Sequence, residues 1–492
     1  MSATPLYNSD TIIALATPSG IGAIGVIRLS GPDAITLVNQ VFNGKDLSIQ
    51  KTHTIHFGTI RDEELILDEV LASIFIGPKS YTKENVVEIS THGSAYIIES
   101  IIKLLIRKGA RPANPGEFTL RAFLNGQLDL SQAEAVADLI ASNSQASHQV
   151  AMQQMRGGFS TELQHLRDQL IHFASMIELE LDFGEEDVEF ANRDDLKALI
   201  FQINRILHRL IQSFEQGNVM KNGVPVVIAG KPNVGKSTLL NALLNEERAI
   251  VSEIAGTTRD TVEDEIIIGG INFRFIDTAG IRDTVDIIEA KGVERTHEKI
   301  GLAKLIIYLV DPEQEVKELK TQIEYLQGLE IPFILVVNKS DLVTDEFMRL
   351  LPVAGYQLPG ESAKDLSRKN DDDTLSDQPD SGQLVTGNQQ FLFISAKSNT
   401  GVDTLKESIL KKVNLHSINT DDVLISNIRH LEALQKTEAS LNSVLQNIDN
   451  PVTSDFLATD IKQALYYLGE ITGQVTTDDL LETIFSKFCI GK

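Results

Sequence analysis

The order of hydrophobic and polar positions in residues 1–120 predicts a compact α+β domain. Short runs rich in β-forming residues alternate with turns, and a stretch with helical periodicity follows them. The strand candidates are Thr11–Ala16, Gly25–Leu29, Leu65–Ile76 and Val86–Ile89, and the helix candidate is Ala95–Arg107.

The pattern becomes helical at Asp129 and remains so, with breaks, to about Gly217. Ser131 followed by Glu134 matches a capping box, the reciprocal pairing of side chains and backbone N–H groups at a helix start. A similar texture, rich in Ala, Gln, Leu and Glu, returns near residue 422. Its predicted helices are Val423–Gln446, Leu457–Leu468 and a last one that opens at Thr476–Asp479 and ends at Phe488.

Between the two helical stretches, buried strands alternate with helical segments, which predicts a mostly parallel sheet with crossover helices. The strands are Val226–Ala229, Phe273–Ile276, Leu305–Val310, Phe333–Val337 and Phe391–Ile394.

We therefore predict a multidomain α/β protein. Its parts are an N-terminal α+β domain (1–120), a discontinuous α-helical domain (121–222 and 416–492) and an inserted domain with a mostly parallel sheet (223–415). Insertion is tolerated where the ends of a domain lie close together at a surface. The alternative, a linear string of four domains, would leave each helical piece to find its own core.

Residues 353–390 differ in composition from the rest of the inserted segment. They are rich in Asp, Ser, Gly, Gln and Pro, and residues 371–373 are three consecutive Asp. Such a composition buries little apolar surface. We expect a flexible acidic insertion at the surface.

Five short motifs of the inserted segment match, in order, the boxes of a guanine-nucleotide-binding protein and make the inserted domain (223–415) a predicted Ras-like P-loop G domain. The boxes are Gly230–Ser237, Gly256–Asp260, Asp277–Gly280, Asn338–Asp341 and Ser395–Lys397. One phosphate loop alone would be weak evidence, but five ordered boxes, each beside a strand-like run, predict GTP as the ligand. The residues expected to contact GTP are Asn233, Val234, Gly235, Lys236, Ser237, Thr238, Ser252, Glu253, Ile254, Ala255, Gly256, Thr257, Thr258, Asp277, Thr278, Ala279, Gly280, Asn338, Lys339, Asp341, Ser395, Ala396 and Lys397.

The residue types of the boxes suit phosphate and magnesium chemistry. The first box follows a strand and opens a helix, whose N-terminal N–H groups favour negative charge. Lys236 is expected to reach the β- and γ-phosphates, and Ser237 and Thr258 to ligate Mg²⁺. Asp277 is expected to hold the magnesium shell, and the N–H of Gly280 to donate to the γ-phosphate.

The fourth and fifth boxes read the base. Asn338 and Asp341 are expected to bind guanine, because a carboxylate accepts from its ring N–H and amino group in an arrangement that adenine lacks. The backbone N–H of Ala396 is expected to donate to the base carbonyl.

The water-orienting glutamine that many small GTPases carry directly after the third box is absent. Ile281 occupies that position and cannot hydrogen-bond a water, so another group must orient it. Asn233 in the phosphate loop and the Thr257–Thr258 pair resemble the potassium-activated GTPases, in which a monovalent cation lies against the phosphates. Acidic residues after the third box, Glu289 among them, are candidates for orienting the attacking water. For any one of them, the alternative is that it only forms part of a solvent-exposed surface of the switch segment.

Composition and charge narrow the class of partner. The 492 residues carry a net charge of −25 with a pI near 4.8, so the chain lacks the electrostatic footprint of a nucleic-acid binder. Cys489 is the single cysteine, which excludes an internal disulfide and favours a reducing compartment. Residues 1–10 do not match a signal peptide, and no apolar run reaches membrane-spanning length. We expect a cytoplasmic protein without membrane contact.

Beyond the boxes, two stretches carry a family resemblance. They are Pro115–Gly126, which reads PGEFTLRAFLNG, and the terminal Phe488–Lys492, which reads FCIGK. With the inserted G domain, they make the chain similar over nearly its full length to the MnmE (TrmE) family of tRNA-modification GTPases. The acidic segment 353–390 is the exception.

The resemblance implies an activity. A potassium-stimulated GTPase works with a flavoprotein partner, MnmG, in a heterotetramer or larger complex. Together they form a 5-carboxymethylaminomethyl or aminomethyl group on the wobble uridine of certain tRNAs. A 5-formyl- or 5,10-methylene-tetrahydrofolate supplies the one-carbon unit, and FAD and NADH belong to the partner. The acidic charge fits a chain that leaves most of the tRNA contact to that partner.

The resemblance also implies residue roles and a homodimer formed through the N-terminal, folate-binding-type domains. The folate contacts would be Arg28, Glu88, Gln127 and Lys492, although the family often has Lys where this chain has Gln127. The K⁺ ligands would be Asn233, Ser252, Ile254 and Thr257, the third through its backbone. Glu289 matches the acid that orients the hydrolytic water, and Arg282 is a further catalytic candidate on the same switch.

Two alternatives stay open. Cys489 is either a nucleophile that acts as thiolate or a buried anchor that docks the tail against the N-terminal domain. The chain as a whole could instead be a regulatory switch, such as a ribosome-assembly GTPase. Such proteins usually append a basic RNA-binding module, and this sequence shows none.

Overall fold

A computed structural model describes residues 10–182, 192–247, 264–276, 303–312, 316–344, 347–348, 383–386, 389–413, 423–449 and 454–491. The chain divides into two compact units. Unit 1 comprises Met1–Ala141, Ala151–Gln212 and Asn427–Lys492, and unit 2 comprises Ser142–Val150 and Ser213–Ser426. Each unit contains one seven-stranded sheet of the described residues.

The sheet of unit 1 contains every strand predicted for the N-terminal region. Its order is β3-β4-β5-β6-β2-β1-β7. The strands are β1 (Ile12–Leu15), β2 (Ile24–Ser30), β3 (Phe42–Asn43), β4 (Thr54–Asp62), β5 (Leu65–Phe75), β6 (Val86–His92) and β7 (Arg111–Pro112). Helices α1 (Ala34–Asn39) and α2 (Ala95–Arg107) complete the α+β fold, and α2 has the predicted bounds.

One face of this sheet is packed and the other is partly open. Because strand side chains alternate between faces, Ile27, Leu29 and Ile89 lie in a core with α2 residues such as Ile101. Arg28 belongs to the other face, where it is paired in register with Glu88. This alternation presents both charged residues away from the core.

Helix α3 (Glu117–Leu124) is anchored by a buried ionic network. Arg121 donates to Asp10 at 2.7 Å and to Glu117 at 3.0 Å, and it also contacts Glu84 at 3.2 Å. Arg111 bridges Asp10 and Glu117 at 2.5 Å each. Burial would raise the pKa of Glu117, but hydrogen bonds from Arg111 and the backbone outweigh it and hold that pKa below its usual value.

The helices of the middle and C-terminal regions confirm a discontinuous helical domain. The first group is α4 (Leu130–Ala141), α5 (Gln145–Met155), α6 (Ser160–Asp182) and α7 (Arg193–Asn222). The second group follows the G domain in the chain and consists of α11 (Ile428–Asn447), α12 (Ser454–Thr472) and α13 (Asp478–Phe485). Thr477 caps α13 by accepting from the N–H of Leu480, so this helix begins within the predicted Thr476–Asp479 but ends three residues before the predicted Phe488. Among the helices that the structure describes, none is long and apolar enough to cross a membrane.

The capping box predicted at Ser131 and Glu134 is wrong by two residues. The N–H of Gln132 donates to Asp129 Oδ1 at 2.8 Å, and the N–H of Asp129 donates to Gln132 Oε1 at 2.9 Å. The reciprocal pairing is therefore Asp129 with Gln132, because Asp is as good an N-cap as Ser and stands earlier in the chain.

Glu134 instead joins the two helical groups. Its carboxylate accepts from Arg429 at 2.8 and 3.0 Å and from His430 Nε2 at 2.8 Å. Arg429 also donates to the backbone carbonyls of Glu470 and Ile471 at the end of α12. Burial would raise the pKa of Glu134, but His430 and Arg429 outweigh burial and lower it to about 2.

Unit 2 contains the predicted Ras-like sheet. Its order is β13-β14-β12-β11-β8-β10-β9, and β10, β8, β11, β12 and β14 are parallel. The strands are β8 (Val224–Gly230), β9 (Asp264–Ile268), β10 (Ile271–Phe275), β11 (Leu305–Val310), β12 (Phe333–Val337), β13 (Gln383–Thr386) and β14 (Gln389–Phe393). Its helices are α8 (Lys236–Glu247), α9 (Val316–Gly328) and α10 (Val402–Val413).

Two antiparallel edge hairpins were not predicted. Gly269 and Gly270 join β9 to β10 with φ values of 57° and 80°, which suits a two-residue hairpin turn. Strand β13 pairs antiparallel with β14, so the end of segment 353–390 forms sheet rather than a flexible insertion. Residues 353–382 of that segment lie outside the described residues.

The chain enters and leaves the G domain at one place. The N–H of Ile425 donates to Ser213 Oγ at 3.1 Å. A Cβ on Gly217 of α7 would lie 2.2 Å from the carbonyl oxygen of Ile425, so only glycine permits this approach. The two connecting segments therefore run in contact.

We predict that Glu134→Gln destabilises the fold by about 3 kcal/mol at pH 7, because it leaves the partly buried Arg429 and the buried His430 without their carboxylate. A carboxylate whose pKa falls from 4.5 to about 2 stabilises the fold above its unfolded pKa, and this stabilisation is lost as pH falls toward about 2. Urea unfolding of the wild type and of Glu134→Gln between pH 7 and pH 3 measures the difference in their free energies of unfolding. We expect this difference to become smaller as the pH is lowered.

Glu162→Gln is the matched control, since Glu162 pairs with Arg209 at an exposed position. A Glu134→Gln protein as stable as this control at pH 7 would contradict the prediction.

Candidate functional site

The phosphate loop occupies the turn between β8 and α8, and its glycines are required by close contacts. Gly230 and Gly235 have φ values of 145° and 99°. A Cβ on Gly230 would lie 2.5 Å from the carbonyl oxygen of Leu309, and one on Gly235 would lie 2.3 Å from Asn338 Nδ2. The backbone can therefore wrap tightly at the N-terminus of α8, which favours an anion.

Lys236 lies at the first position of α8, with its ammonium group turned onto the loop. Its Nζ donates to the carbonyl oxygens of Gly230 at 2.7 Å and Lys231 at 3.0 Å. Burial lowers the pKa of Lys236. Ser237 and Thr238 follow in the first turn of the same helix. A cation and two hydroxyls thus lie together at one helix N-terminus.

The first, fourth and fifth boxes meet through Asn338. Its Nδ2 donates to the carbonyl oxygen of Val234 at 2.8 Å, and its Oδ1 accepts from the N–H of Ala396 at 3.0 Å. Asn338 follows β12 directly and is 3% exposed, so it acts as a buried link between the loops.

The neighbouring box residues are held by short local contacts. Lys339 has φ 56° and pairs with Asp311 at 2.5 Å, and Asp341 lies in the 3₁₀ helix Ser340–Leu342. Ser395 forms an isolated antiparallel bridge with Thr400. Ser395 is buried, whereas Lys397 beyond it is exposed.

The remaining nucleotide predictions lie outside the described residues and stay predictions. They are Ser252, Glu253, Ile254, Ala255, Gly256, Thr257, Thr258, Asp277, Thr278, Ala279, Gly280, Arg282 and Glu289. Within the described residues, no group of three or more His, Cys, Asp or Glu is arranged to hold a metal ion.

A second cluster of predicted residues lies on the open face of the N-terminal sheet. Arg28 Nε donates to Glu88 Oε1 at 2.9 Å, and each side chain is about a quarter exposed. The guanidinium carbon lies 5.7 Å from the ring centroids of both Tyr81 and Phe118. Burial raises the pKa of Tyr81, whose hydroxyl is 2.9 Å from Thr119 Oγ1.

The C-terminal tail reaches this cluster. The carbonyl oxygen of Gly491 accepts from Arg28 Nη1 at 3.5 Å, and that of Cys489 accepts from the N–H of Gly116 at 3.4 Å. Gly491 has φ 97°, and a Cβ there would lie 2.1 Å from the carbonyl oxygen of Leu15.

The side chain of Cys489 is not the tail's anchor. Cys489 is exposed, which excludes the buried-anchor interpretation and leaves its thiol accessible. Phe488 is buried against Phe485 instead, with ring centroids 5.2 Å apart. Gln127 is exposed and makes no hydrogen bond with Arg28 within the described residues, and Lys492 lies outside them.

Sequence reasoning missed two residues of this cluster, Tyr81 and Phe118. Phe118 stands inside the PGEFTLRAFLNG stretch, and Tyr81 is an aromatic residue in a polar turn. Both become recognisable only when the fold places their rings beside Arg28, because no local pattern relates positions so far apart in the chain.

The parallel sheet, the phosphate loop at the start of α8 and the Asn338 link define a P-loop GTP-binding protein with a Ras-like G domain. Two family models match the chain: the MnmE helical domain at residues 130–489 and the GTP-binding protein TrmE N-terminus at residues 11–127. The chain belongs to the MnmE family of tRNA modification GTPases.

Relatives match over nearly the whole length. The tRNA modification GTPase MnmE of Cytophaga hutchinsonii is 55% identical and covers 100% of both chains. The corresponding proteins of Christiangramia forsetii and Bacteroides thetaiotaomicron are 53% and 47% identical, with 98% and 99% of this chain and 99% and 100% of theirs covered. Among solved structures, Era of Aquifex aeolicus matches at 23% identity over 44% of this chain and 66% of its own. Its TM-score of 0.25 is too low to carry an argument.

We predict that Asn338→Asp lowers the affinity for guanine nucleotides at least about tenfold. The carboxylate keeps the acceptor for Ala396, but it loses the donor to Val234 and faces that carbonyl with a charge. Titration with a fluorescent GDP measures the effect.

Asn442→Asp is the control, because Asn442 only accepts from Asn204 at an exposed site of unit 1. An Asn338→Asp protein that binds GDP as tightly as the control would show that Asn338 does not hold the loops together.

Proposed function

We propose that this protein hydrolyses GTP to GDP and phosphate and uses the cycle to drive modification of the wobble uridine of certain tRNAs. Full-length relatives at 47–55% identity are named tRNA modification GTPases. The observation that carries the proposal is that one chain combines the joined nucleotide boxes with a second, open polar cluster at Arg28 and Glu88.

The described part of the G domain suits the proposed nucleotide chemistry. Lys236 would bind the phosphates, and Ser237 would contribute a hydroxyl to Mg²⁺. Mg²⁺ is usually held by few protein groups together with substrate phosphates. Bound Mg²⁺ would neutralise charge on the phosphates. Asn338 keeps the base-reading loops in place.

We propose that K⁺ stimulates hydrolysis and that Asn233 is one of its ligands. Asn233 is exposed and has φ 62°, so its side chain is available at the outside of the phosphate loop. Ser252, Ile254 and Thr257 are the further proposed ligands, and Glu289 the proposed water-orienting acid.

We propose that the cluster around Arg28 binds a one-carbon tetrahydrofolate, 5-formyl or 5,10-methylene. Its residues fit such a ligand, since a guanidinium pairs with a carboxylate and a carboxylate accepts from a pterin N–H edge. Arg28 contacts two aromatic rings and pairs with Glu88, which restricts its orientation before a ligand arrives. The exposed thiol of Cys489 lies on the tail that contacts Arg28.

The remaining assignments concern partners and location. We propose a homodimer formed by N-terminal domains and a complex with an MnmG-like flavoprotein that carries FAD and NADH. With a net charge of −25, this chain would contact tRNA mainly through that partner. We propose a cytoplasmic location, which agrees with an exposed thiol that is the only one in the sequence.

The direct test is mass-spectrometric analysis of tRNA wobble uridines from cells lacking this protein, complemented with variants. We expect loss of the modification in the deletion strain and in Arg28→Gln. The purified variant should bind reduced folates at least about tenfold more weakly while its GTP turnover stays unchanged.

Arg107→Gln is the matched control, because Arg107 pairs with Asp62 at an exposed position of the same domain. The folate assignment would be rejected if Arg28→Gln bound reduced folates as tightly as the wild type and supported normal wobble-uridine modification. The function as a whole would be rejected if tRNA from the deletion strain carried the normal modification.

We further predict that GTP turnover rises severalfold when Na⁺ is replaced by K⁺ at constant ionic strength. Asn233→Ala should remove most of this dependence, because it removes one ligand oxygen. Steady-state phosphate release measures both effects. Equal wild-type rates in the two salts would remove the case for a potassium site.

A further inference from the structure

The β9–β10 hairpin connects two nucleotide boxes directly. Strand β9 begins four residues after Asp260, the end of the second box, and β10 ends two residues before Asp277, the start of the third. Ile266, Ile268 and Phe273 fix the hairpin in the core of unit 2. A rearrangement of either box therefore acts directly on one strand of this hairpin.

The tip and edge of this hairpin are bound to a short segment from far upstream. Asn143 Nδ2 donates to Glu265 Oε2 at 2.7 Å, and Asn272 Nδ2 donates to the same oxygen at 3.1 Å. The N–H of Ala146 donates to the carbonyl oxygen of Gly270 at 3.1 Å. We call these five residues the hairpin clasp.

The upstream half of the clasp is the ordered beginning of helix α5. Ser144 and Ser147 each donate a backbone N–H to the other's hydroxyl at 3.1 Å, which is a reciprocal cap. Both serines, Ala146 and Val150 are buried. The segment therefore presents a preformed helix start to the hairpin.

The contact uses a group that a helix start leaves unsatisfied. The N–H of Ala146 belongs to the first turn of α5, where no intrahelical acceptor exists, and Gly270 supplies that acceptor. A Cβ on Gly270 would lie 3.1 Å from Gln145 Oε1, and the residue has φ 80°, so glycine suits this docking position.

We infer that the hairpin clasp couples the nucleotide boxes to helix α5, with Asn143 and Glu265 as the positioning residues of that coupling. Helix α5 continues at Ala151 into unit 1, which contains the Arg28–Glu88 cluster. The inference rests on the proposed GTP-driven function and adds a covalent route out of the G domain. The clasp joins hairpin residues between the two boxes to Asn143 and Ala146 upstream, and it includes no residue predicted to contact nucleotide.

Coupling between two sites is reciprocal, which makes the inference testable twice. If the GTP state strengthens the clasp, the clasp must favour GTP over GDP, and if it weakens the clasp, the preference must be opposite. Hydrogen exchange of the backbone amides in 142–155 reports how strongly the clasp is held in each nucleotide state. The ratio of the affinities for a non-hydrolysable GTP analogue and for GDP reports the nucleotide preference that the clasp imposes.

The full-length wild-type chain is compared with four variants. Asn143→Asp places a second carboxylate against Glu265, and it should break the clasp. Asn143→Asp combined with Glu265→Gln reverses donor and acceptor. A rotated Asn272 amide can satisfy this reversal, since its Oδ1 has no hydrogen-bond partner among the described residues. Asn442→Asp and Glu324→Gln are exposed controls that carry the same chemical changes.

We expect wild-type exchange over 142–155 to differ between the GTP analogue and GDP by at least about fivefold. Asn143→Asp should abolish this difference and shift the affinity ratio by a similar factor. If the wild-type clasp is more protected with the GTP analogue, the variant should shift the ratio towards GDP, and if it is more protected with GDP, towards the GTP analogue. The double variant should restore both quantities. A contact that only stabilised the fold would leave the affinity ratio unchanged in every variant.

Wild-type exchange that is independent of nucleotide, or a difference that survives in Asn143→Asp, overturns the inference. An unchanged affinity ratio in Asn143→Asp does the same. If one of these results is obtained while the wild-type chain turns over GTP and supports normal tRNA modification, the proposed function stands without the clasp. A wild-type chain that binds no GTP would overturn both.

Discussion

The carboxylate of Glu134 is the constraint that makes one domain out of two distant pieces of chain. Its partners Arg429 and His430 are 295 and 296 residues away. A buried carboxylate without cations, or buried cations without a carboxylate, would be strongly unfavourable, so neither helical group satisfies its charges alone. Arg429 extends the link to α12 through two backbone carbonyls. This shared ion cluster explains why a G domain can interrupt the helical domain without dividing it.

Two further contacts tie remote parts of the chain to functional positions. The tail contacts Arg28 through Gly491, and a segment near residue 145 contacts the hairpin between two nucleotide boxes. Both depend on a backbone carbonyl approached at a glycine, where a side chain would intervene. In each case a glycine lets the main chain approach closely, and a charged side chain, Arg28 or Glu265, takes part in the contact.

Local chemistry made much of this architecture predictable. The nucleotide boxes follow strands with continuous apolar runs, and Leu305–Val310 and Phe333–Val337 were predicted with their observed bounds. The Gly269–Gly270 turn was not predicted, although two glycines between β-rich runs are a local signal that favours a hairpin. The roles of Glu134 and Tyr81 were not predictable, because each depends on partners that only the tertiary fold brings near. Asp129 displaced the predicted cap because several residue types compete for that position.

The contact between Ser213 and Ile425 has a consequence for chain entropy. To the helical domain, Ser213–Ser426 is a loop of more than 200 residues whose ends must meet. Closing such a loop as a flexible chain would cost roughly 5 kcal/mol. A folded G domain already holds those ends within a hydrogen bond of each other. Folding of the nucleotide-binding insert therefore lowers the entropic barrier to joining the two helical pieces around it.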